Sequence, residues 1–194
     1  MANKVLVPEL NGTPDQIVYA DIAGDFNPAS ANDLRDATSG SRTSAQLTLN
    51  GLANNAYRQG AKVDLGALWA PVYKVRAALE FAATPTAGNA VEFYWAPSHN
   101  STAQNGNPGG VSGVDAAYTG YSANASASIR QLDFVGAFIC TSMATATIQQ
   151  AEVGILMPGE RYGSLVVFND YGAAMHSDDV EWNIVLDPIV QEVQ

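Results

Sequence analysis

Apolar and polar residues alternate along most of the chain, a pattern typical of β-strands with one buried face. In VYKVRAALEF, for example, Tyr73, Val75 and Leu79 lie on one face, and Lys74 and Arg76 lie on the opposite, solvated face. Trp95 and Trp182 fall on the apolar faces of two other such stretches, which predicts that both are core residues. The alternation predicts strands at residues 44–50, 72–81, 89–95 and 179–187.

Further segments fit strands less regularly. They are residues 16–22, 61–65, 131–141, 145–156 and 162–169. LDFVGAFIC is apolar on both faces after Asp133, which predicts a strand covered on both sides. Helical periodicity is scarce: PASANDLRDA, with a cap at Ser30 or Asn32, and SANASASIRQ each fit two or three turns.

About nine strands without a βαβ rhythm predict an all-β fold. We expect an antiparallel two-sheet sandwich, jelly-roll-like because the chain is longer than an immunoglobulin sandwich. Residues 1–43 alternate less and are expected to form an N-terminal extension or arm with one strand. Residues 44–194 are expected to form the sandwich domain.

The charge balance argues against a nucleic-acid partner. The formal net charge is −10, and the nine basic residues are scattered, whereas phosphate binding needs clustered Lys and Arg. Only 14% of residues are charged, against about 25% in a typical soluble domain. Low charge with 47% hydrophobic content indicates a surface partly covered by other protein. MANKVLVPEL lacks the apolar stretch of a signal peptide, and no run approaches membrane-spanning length, so we expect a soluble, cytosolically made chain.

Groups capable of catalysis are few. His99 and His176 both lie in turn-rich segments and are expected to be solvent-exposed. Cys140 lies in an apolar run and is expected to be a small buried hydrophobe. Glu80 and Glu92 fall on the polar faces of strands taken to be neighbours, which favours outward solubilising groups over a glycosidase pair.

Known catalytic and metal signatures are not found in the sequence. HSDDVE places Asp178, Asp179 and Glu181 near His176, but strand geometry would prevent them from converging without a bent loop; calcium would be the preferred ion there. No metal-spaced His or Cys cluster, nucleophile elbow or phosphate loop occurs. We therefore expect no enzyme activity, cofactor, metal or small-molecule substrate.

Residues 99–113, HNSTAQNGNPGGVSG, form a long polar connector between strands. The connector holds one His and no carboxylate, Cys or Lys, so an active site is disfavoured. Because long polar loops are often functional and Tyr and Trp are enriched at interfaces, we expect it to pack against another subunit. The predicted interface residues are Trp69, His99, Asn100, Asn105, Asn107, Tyr118 and Tyr121. The aromatic residues among them are expected to be exposed.

Four segments together, AKVDLGALWAPVYKVRAALEF, AVEFYWAPS, NPGGVSGVDAAYTGY and RYGSLVVFNDYGAAMHSDDVEWNIVLDPIVQEV, resemble small virion proteins of tailed bacteriophages. The likeness is greatest to capsid decoration or cement proteins and covers about two thirds of the chain, from Ala61 onward. It carries no catalytic residues.

The resemblance implies a jelly-roll or related β fold, a homotrimer, and the major capsid protein as partner. The protein would be made in the bacterial host cytoplasm and located on the capsid surface of the virion. It would bind through many repeated contacts rather than chemistry. Two alternatives stay open: a tail, baseplate or head-fibre component, and a carbohydrate-binding β-sandwich module that uses Tyr118, Tyr121 and the Asn-rich loop.

Overall fold

The computed structural model describes residues 16–21, 42–67, 69–145, 147–177 and 182–189. Those residues contain eleven strands and one short helix. The strands are β1 Gln16–Ala20, β2 Arg42–Gln46, β3 Ala56–Gln59, β4 Val63–Asp64, β5 Tyr73–Leu79, β6 Ala90–Ser98, β7 Ala116–Ala117, β8 Asp133–Ile139, β9 Gln149–Leu156, β10 Tyr162–Asp170 and β11 Asn183–Pro188; the helix is α1 Ala125–Ser128. The all-β class is confirmed.

The strands follow one hydrogen-bonded path, β2-β1-β11-β5-β9-β8-β6-β10-β3-β7, and β4 pairs with β10. In the described part of the chain every pairing is antiparallel except that of β1 with β2. The link between β8 and β9 is a single register pair, Gly136 with Gly154. That narrow link divides the path into two halves, which we call the β5 half (β2, β1, β11, β5, β9) and the β6 half (β8, β6, β10, β3, β7, β4).

The main core lies between the two halves. Its buried side chains come from both, including Val75 of β5, Ile184 of β11, Phe93 of β6 and Leu165 of β10. The sheet therefore curls so that one face of each half lines the same core. The finer prediction of two separate sheets in jelly-roll order stays a prediction.

Strong alternation predicted the inward residues correctly. Tyr73, Val75, Ala77 and Leu79 of β5 are all buried in the main core, and Trp95 and Trp182 join them. In residues 44–50 the inward set is also correct, although β2 begins at Arg42 and ends at Gln46. β9 begins at Gln149, later than the predicted 145, and the helix of two or three turns predicted at 122–131 is α1 followed by a 3₁₀ turn.

A second, smaller core covers the outer face of β6, β10 and β3. It consists of Ala96, Val111, Tyr118, Ile129, Leu132 and Val166, with Tyr57, Tyr94, Ala125 and Phe168 packed around them. Most of its covering residues come from the segment between β6 and β8, which begins with the polar connector and continues to Leu132. Gly109 is buried there with a φ of 63°, a backbone conformation that favours glycine. This connector is therefore part of the folded domain.

The packing corrects two expectations and adds one strand that was not predicted. The outer face of β8 is open, since Phe134 and Ile139 are exposed, so the strand is not covered on both sides. Glu80 is buried rather than outward, and β5 and β6, the strands that bring Glu80 and Glu92, are not neighbours. β3 was not predicted, because two of its four residues, Arg58 and Gln59, are polar and hide the alternation.

The N-terminal prediction is described in part. β1 is an inner strand between β2 and β11, and all five of its residues are buried. The strand expected within residues 1–43 therefore belongs to the curled sheet. The predicted helix at 28–37 and the rest of the extension lie outside the described residues.

Candidate interaction surface

The first turn of the polar connector, residues 99–113, wraps around the side chain of Lys62. Nζ of Lys62, beside β4, donates to the carbonyl oxygens of Asn100, Thr102 and Asn105 at 3.0, 2.8 and 2.8 Å, and lies 3.0 Å from Oγ of Ser98. An ammonium group has three protons, so four acceptors share them. Partial burial of the ammonium group lowers the pKa of Lys62. The first turn of the connector is thus ordered by its own chain.

Three of the predicted interface residues have structural roles within the chain. Tyr118, predicted to be exposed, is only 3% exposed, and its hydroxyl donates to the Gly109 carbonyl at 2.7 Å, so the prediction of an exposed ring is wrong. Nδ2 of Asn107 donates to the carbonyls of Ala103 and Val111 at 2.6 and 2.8 Å, which closes the loop. Trp69 is partly buried against the main core.

The other predicted residues lie at or near the surface. His99 and Asn105 are exposed, whereas Asn100 is half-buried and its Oδ1 accepts from the Thr102 amide at 2.8 Å. Tyr121 is 53% exposed and precedes two left-handed residues, Ser122 and Ala123. The structure brings His99, Asn100 and Asn105 together in one turn, and it places Tyr121 on a separate one.

Four exposed apolar residues lie on β8 and β9 and directly after β9. Phe134 and Ile139 of β8 are 59% and 57% exposed; Ile155 of β9 and the following Met157 are 42% and 72% exposed. We call these four residues the seam patch. Phe134 packs edge-on against Tyr94 of β6 at 5.3 Å between ring centroids, so one side of its ring is fixed. Apolar side chains grouped on adjoining strands in this way are typical of protein contact surfaces.

The sequence pattern of β8 does not by itself predict the seam patch. LDFVGAFIC is apolar on both faces, and such a run is common to strands buried on both sides and to strands whose outer face meets another molecule. The patch has a charged border: Asp133 is exposed beside Phe134, and Glu152 forms a half-exposed ion pair with Lys74 at 3.3 Å.

The remaining candidate groups are dispersed. Cys140 is buried as predicted, and burial raises the pKa of its thiol to about 11. His176 is half-buried rather than solvent-exposed, with Nδ1 3.3 Å from Oε2 of Glu80. Among the described residues no three His, Cys, Asp or Glu side chains converge as metal ligands. Asp178, Asp179 and Glu181 lie outside those residues.

Comparison of the chain with protein families, curated proteins and solved structures gives no significant match. Within the described residues, none of the helices has the length and apolar character needed to cross a membrane.

Proposed function

We propose that the chain is a non-enzymatic structural protein of a tailed-phage virion, which decorates the capsid and stabilises the shell by contacts with the major capsid protein. The observation that carries the proposal is the seam patch. Its four apolar side chains are exposed on a chain with net charge −10, where solubility alone would favour polar residues.

The strand scaffold suits the seam patch to a repeated contact. Ile155 belongs to a strand paired with β5, and Phe134 to one paired with β6, each across one register shift, so binding needs little ordering of the backbone. Preorganised contacts of moderate size bind strongly when they are repeated around a symmetric shell. A homotrimer at the local symmetry axes would supply that repetition, and the protein would reside on the capsid surface.

Capsid binding tests the proposal directly. Virions assembled without this protein would be incubated with the purified chain, and binding would be measured by co-sedimentation and by the temperature at which the particles release their genome. We expect the wild-type chain to bind and to raise that temperature. The double variant Phe134→Ser, Ile155→Ser should bind about tenfold more weakly, because it removes two anchors of the contact.

Val114→Ser is the matched control. Val114 is also an exposed apolar residue, at 43%, but it lies just after residues 99–113 and not in the seam patch. We expect this variant to bind like the wild type. Particles that are equally heat-resistant with and without the protein would contradict the decoration role. Equal binding by the double variant would contradict the use of the seam patch.

The tail, baseplate or head-fibre role and the glycan-binding role predict other outcomes. Immunogold labelling of virions on the tail instead of the head would favour the former. A glycan module would have to use Tyr121 without Tyr118, because Tyr118 is buried. Quenching of tyrosine fluorescence by an oligosaccharide, lost in Tyr121→Ser, would favour it.

A further inference from the structure

Two Asn-Gly pairs within the described residues have opposite surroundings. Nδ2 of Asn50 donates to Oδ2 of Asp21 at 2.5 Å, and Oδ1 of Asn50 accepts from Nε1 of Trp182 at 2.9 Å. The amide of Gly51 donates to the His176 carbonyl at 3.1 Å. Both the side-chain amide and the following backbone nitrogen are therefore held in hydrogen bonds.

Asn105–Gly106 differs at each of these points. Asn105 is exposed, and within the described chain neither its side-chain amide nor the N–H of Gly106 makes a hydrogen bond. Gly106 has a φ of 72° and no side chain to shield its nitrogen. The neighbouring asparagines are restrained: Oδ1 of Asn100 accepts a backbone amide, and Asn107 precedes Pro108, whose nitrogen carries no proton.

A histidine lies next to the reactive pair. A Cβ atom placed on Gly106 would be 3.0 Å from Cε1 of His99, so the imidazole adjoins the Gly106 backbone. Imidazole is the side chain that most often serves as a general base. The ring is therefore placed near the Gly106 amide, where a water molecule can relay the amide proton to it.

The main-chain carbonyl oxygen of Asn105 accepts hydrogen bonds from two side chains. Nζ of Lys62 lies at 2.8 Å and Oγ of Ser98 at 3.1 Å. One of the two donors is cationic. Such a pair stabilises the negative charge that develops when a nucleophile adds to a carbonyl.

We propose that Asn105 is a site of spontaneous deamidation and that its surroundings direct the product to isoaspartate. The Gly106 nitrogen attacks Cγ of Asn105, the N–Cγ bond forms, the Cγ–Nδ2 bond breaks, and the Gly106 proton leaves with the amide nitrogen as ammonia. The product is a five-membered succinimide. Proximity of nucleophile and electrophile in adjacent residues makes this step effectively unimolecular.

Water then opens the succinimide at one of its two carbonyls. Attack at the main-chain carbonyl of residue 105 breaks its bond to the Gly106 nitrogen and leaves a free α-carboxylate, so the backbone continues through Cγ as isoaspartate. Attack at Cγ gives aspartate. Lys62 and Ser98 contact the oxygen of the first carbonyl, so they favour isoaspartate, and Lys62 can then pair with the new carboxylate.

Peptide mapping of the full chain tests the site. The folded protein would be kept at neutral pH, and conversion at each asparagine would be followed by mass spectrometry, with isoaspartate detected by enzymatic methylation. We expect Asn105 to convert at least about tenfold faster than Asn50 in the folded protein, and the two to convert at similar rates in urea. Similar rates in the folded protein, or faster conversion of Asn50, would overturn the proposal.

Three variants test the roles of the neighbours. His99→Gln should slow conversion several-fold at unchanged product ratio. Ser98→Ala and Lys62→Met should shift the ratio toward the one found in urea; Ser98→Ala keeps the lysine and so tests the effect if Lys62→Met disturbs the loop. A wild-type ratio already equal to that in urea would overturn the directing role of the two donors.

Discussion

Gly136 of β8 and Gly154 of β9 face each other at the one register pair found between these strands in the described chain, and neither position has room for a side chain. A Cβ atom on Gly136 would collide with the carbonyl oxygen of Val153, and one on Gly154 with that of Val135. We expect Gly136→Ala or Gly154→Ala to lower the free energy of unfolding by about 1–3 kcal/mol, because the backbones must separate. Urea denaturation measures it.

Gly159→Ala is the control for this prediction. Nothing lies within 4 Å of a Cβ atom at Gly159, so we expect a change within about 0.5 kcal/mol. Equal losses of unfolding free energy for Gly154→Ala and Gly159→Ala would show that the close approach of β8 and β9 does not determine the cost of a side chain at Gly154.

The residues that the sequence predicts best are those decided by local alternation. The inward positions of β5, such as Val75 and Leu79, follow from the period of two alone, because a strand needs only its own pattern to place its apolar residues on one face. The open face of β8 does not follow from its pattern. Coverage depends on where the segment between β6 and β8 packs, and that segment covers β6 and β10 but leaves Phe134 exposed.

The local sequence pattern also does not predict that the polar connector is ordered. Lys62 reaches acceptors 36 to 43 residues later in the chain, and nothing in its neighbourhood distinguishes it from a solvated lysine. A signal for the second core did exist. Val111, Tyr118, Ile129 and Leu132 are large apolar residues spaced through a segment of mostly small and polar residues, and together they indicate a small satellite core.

Tyr118 and Tyr121 provide a matched pair for the distinction between core and surface. Tyr118→Phe removes the buried 2.7 Å hydrogen bond to the Gly109 carbonyl and leaves that oxygen without it, so we expect a loss of about 1–2 kcal/mol. Tyr121→Phe makes the same change on a ring that is 53% exposed and should have no measurable effect on stability. Thermal unfolding of both variants makes the comparison. Equal shifts would contradict the buried role of Tyr118.

Cys140 should be unreactive in the folded protein. It is 1% exposed, and burial raises the pKa of its thiol to about 11, so almost no thiolate exists at neutral pH. We expect a disulfide-exchange reagent to label it slowly at neutral pH and rapidly in urea. Rapid labelling of the folded chain at neutral pH would show that β8 opens readily at its end.

Asp115, the residue before β7, accepts hydrogen bonds from two other segments of the chain. Its Oδ1 accepts from Nε of Arg58 at 2.8 Å and from the Thr48 amide at 3.0 Å, and its Oδ2 lies 2.6 Å from the Thr48 hydroxyl. Burial alone would raise the pKa of Asp115, but the hydrogen bonds from Arg58 and Thr48 outweigh burial and hold the pKa below its ordinary value of 3.8.

The direction of this shift fixes how stability depends on pH. A carboxyl whose pKa is lower in the folded state stabilises the fold fully above its unfolded pKa and loses that contribution as the pH falls through the folded value. Asp115→Asn should therefore cost about 2 kcal/mol at neutral pH, and the difference from wild type should shrink below pH 3.8. Asp64→Asn is the control, because Asp64 pairs with Arg161 at 2.6 Å on the exposed surface and solvent screens that pair. Urea midpoints measured across acidic pH would contradict the role of Asp115 if Asp64→Asn caused the larger loss.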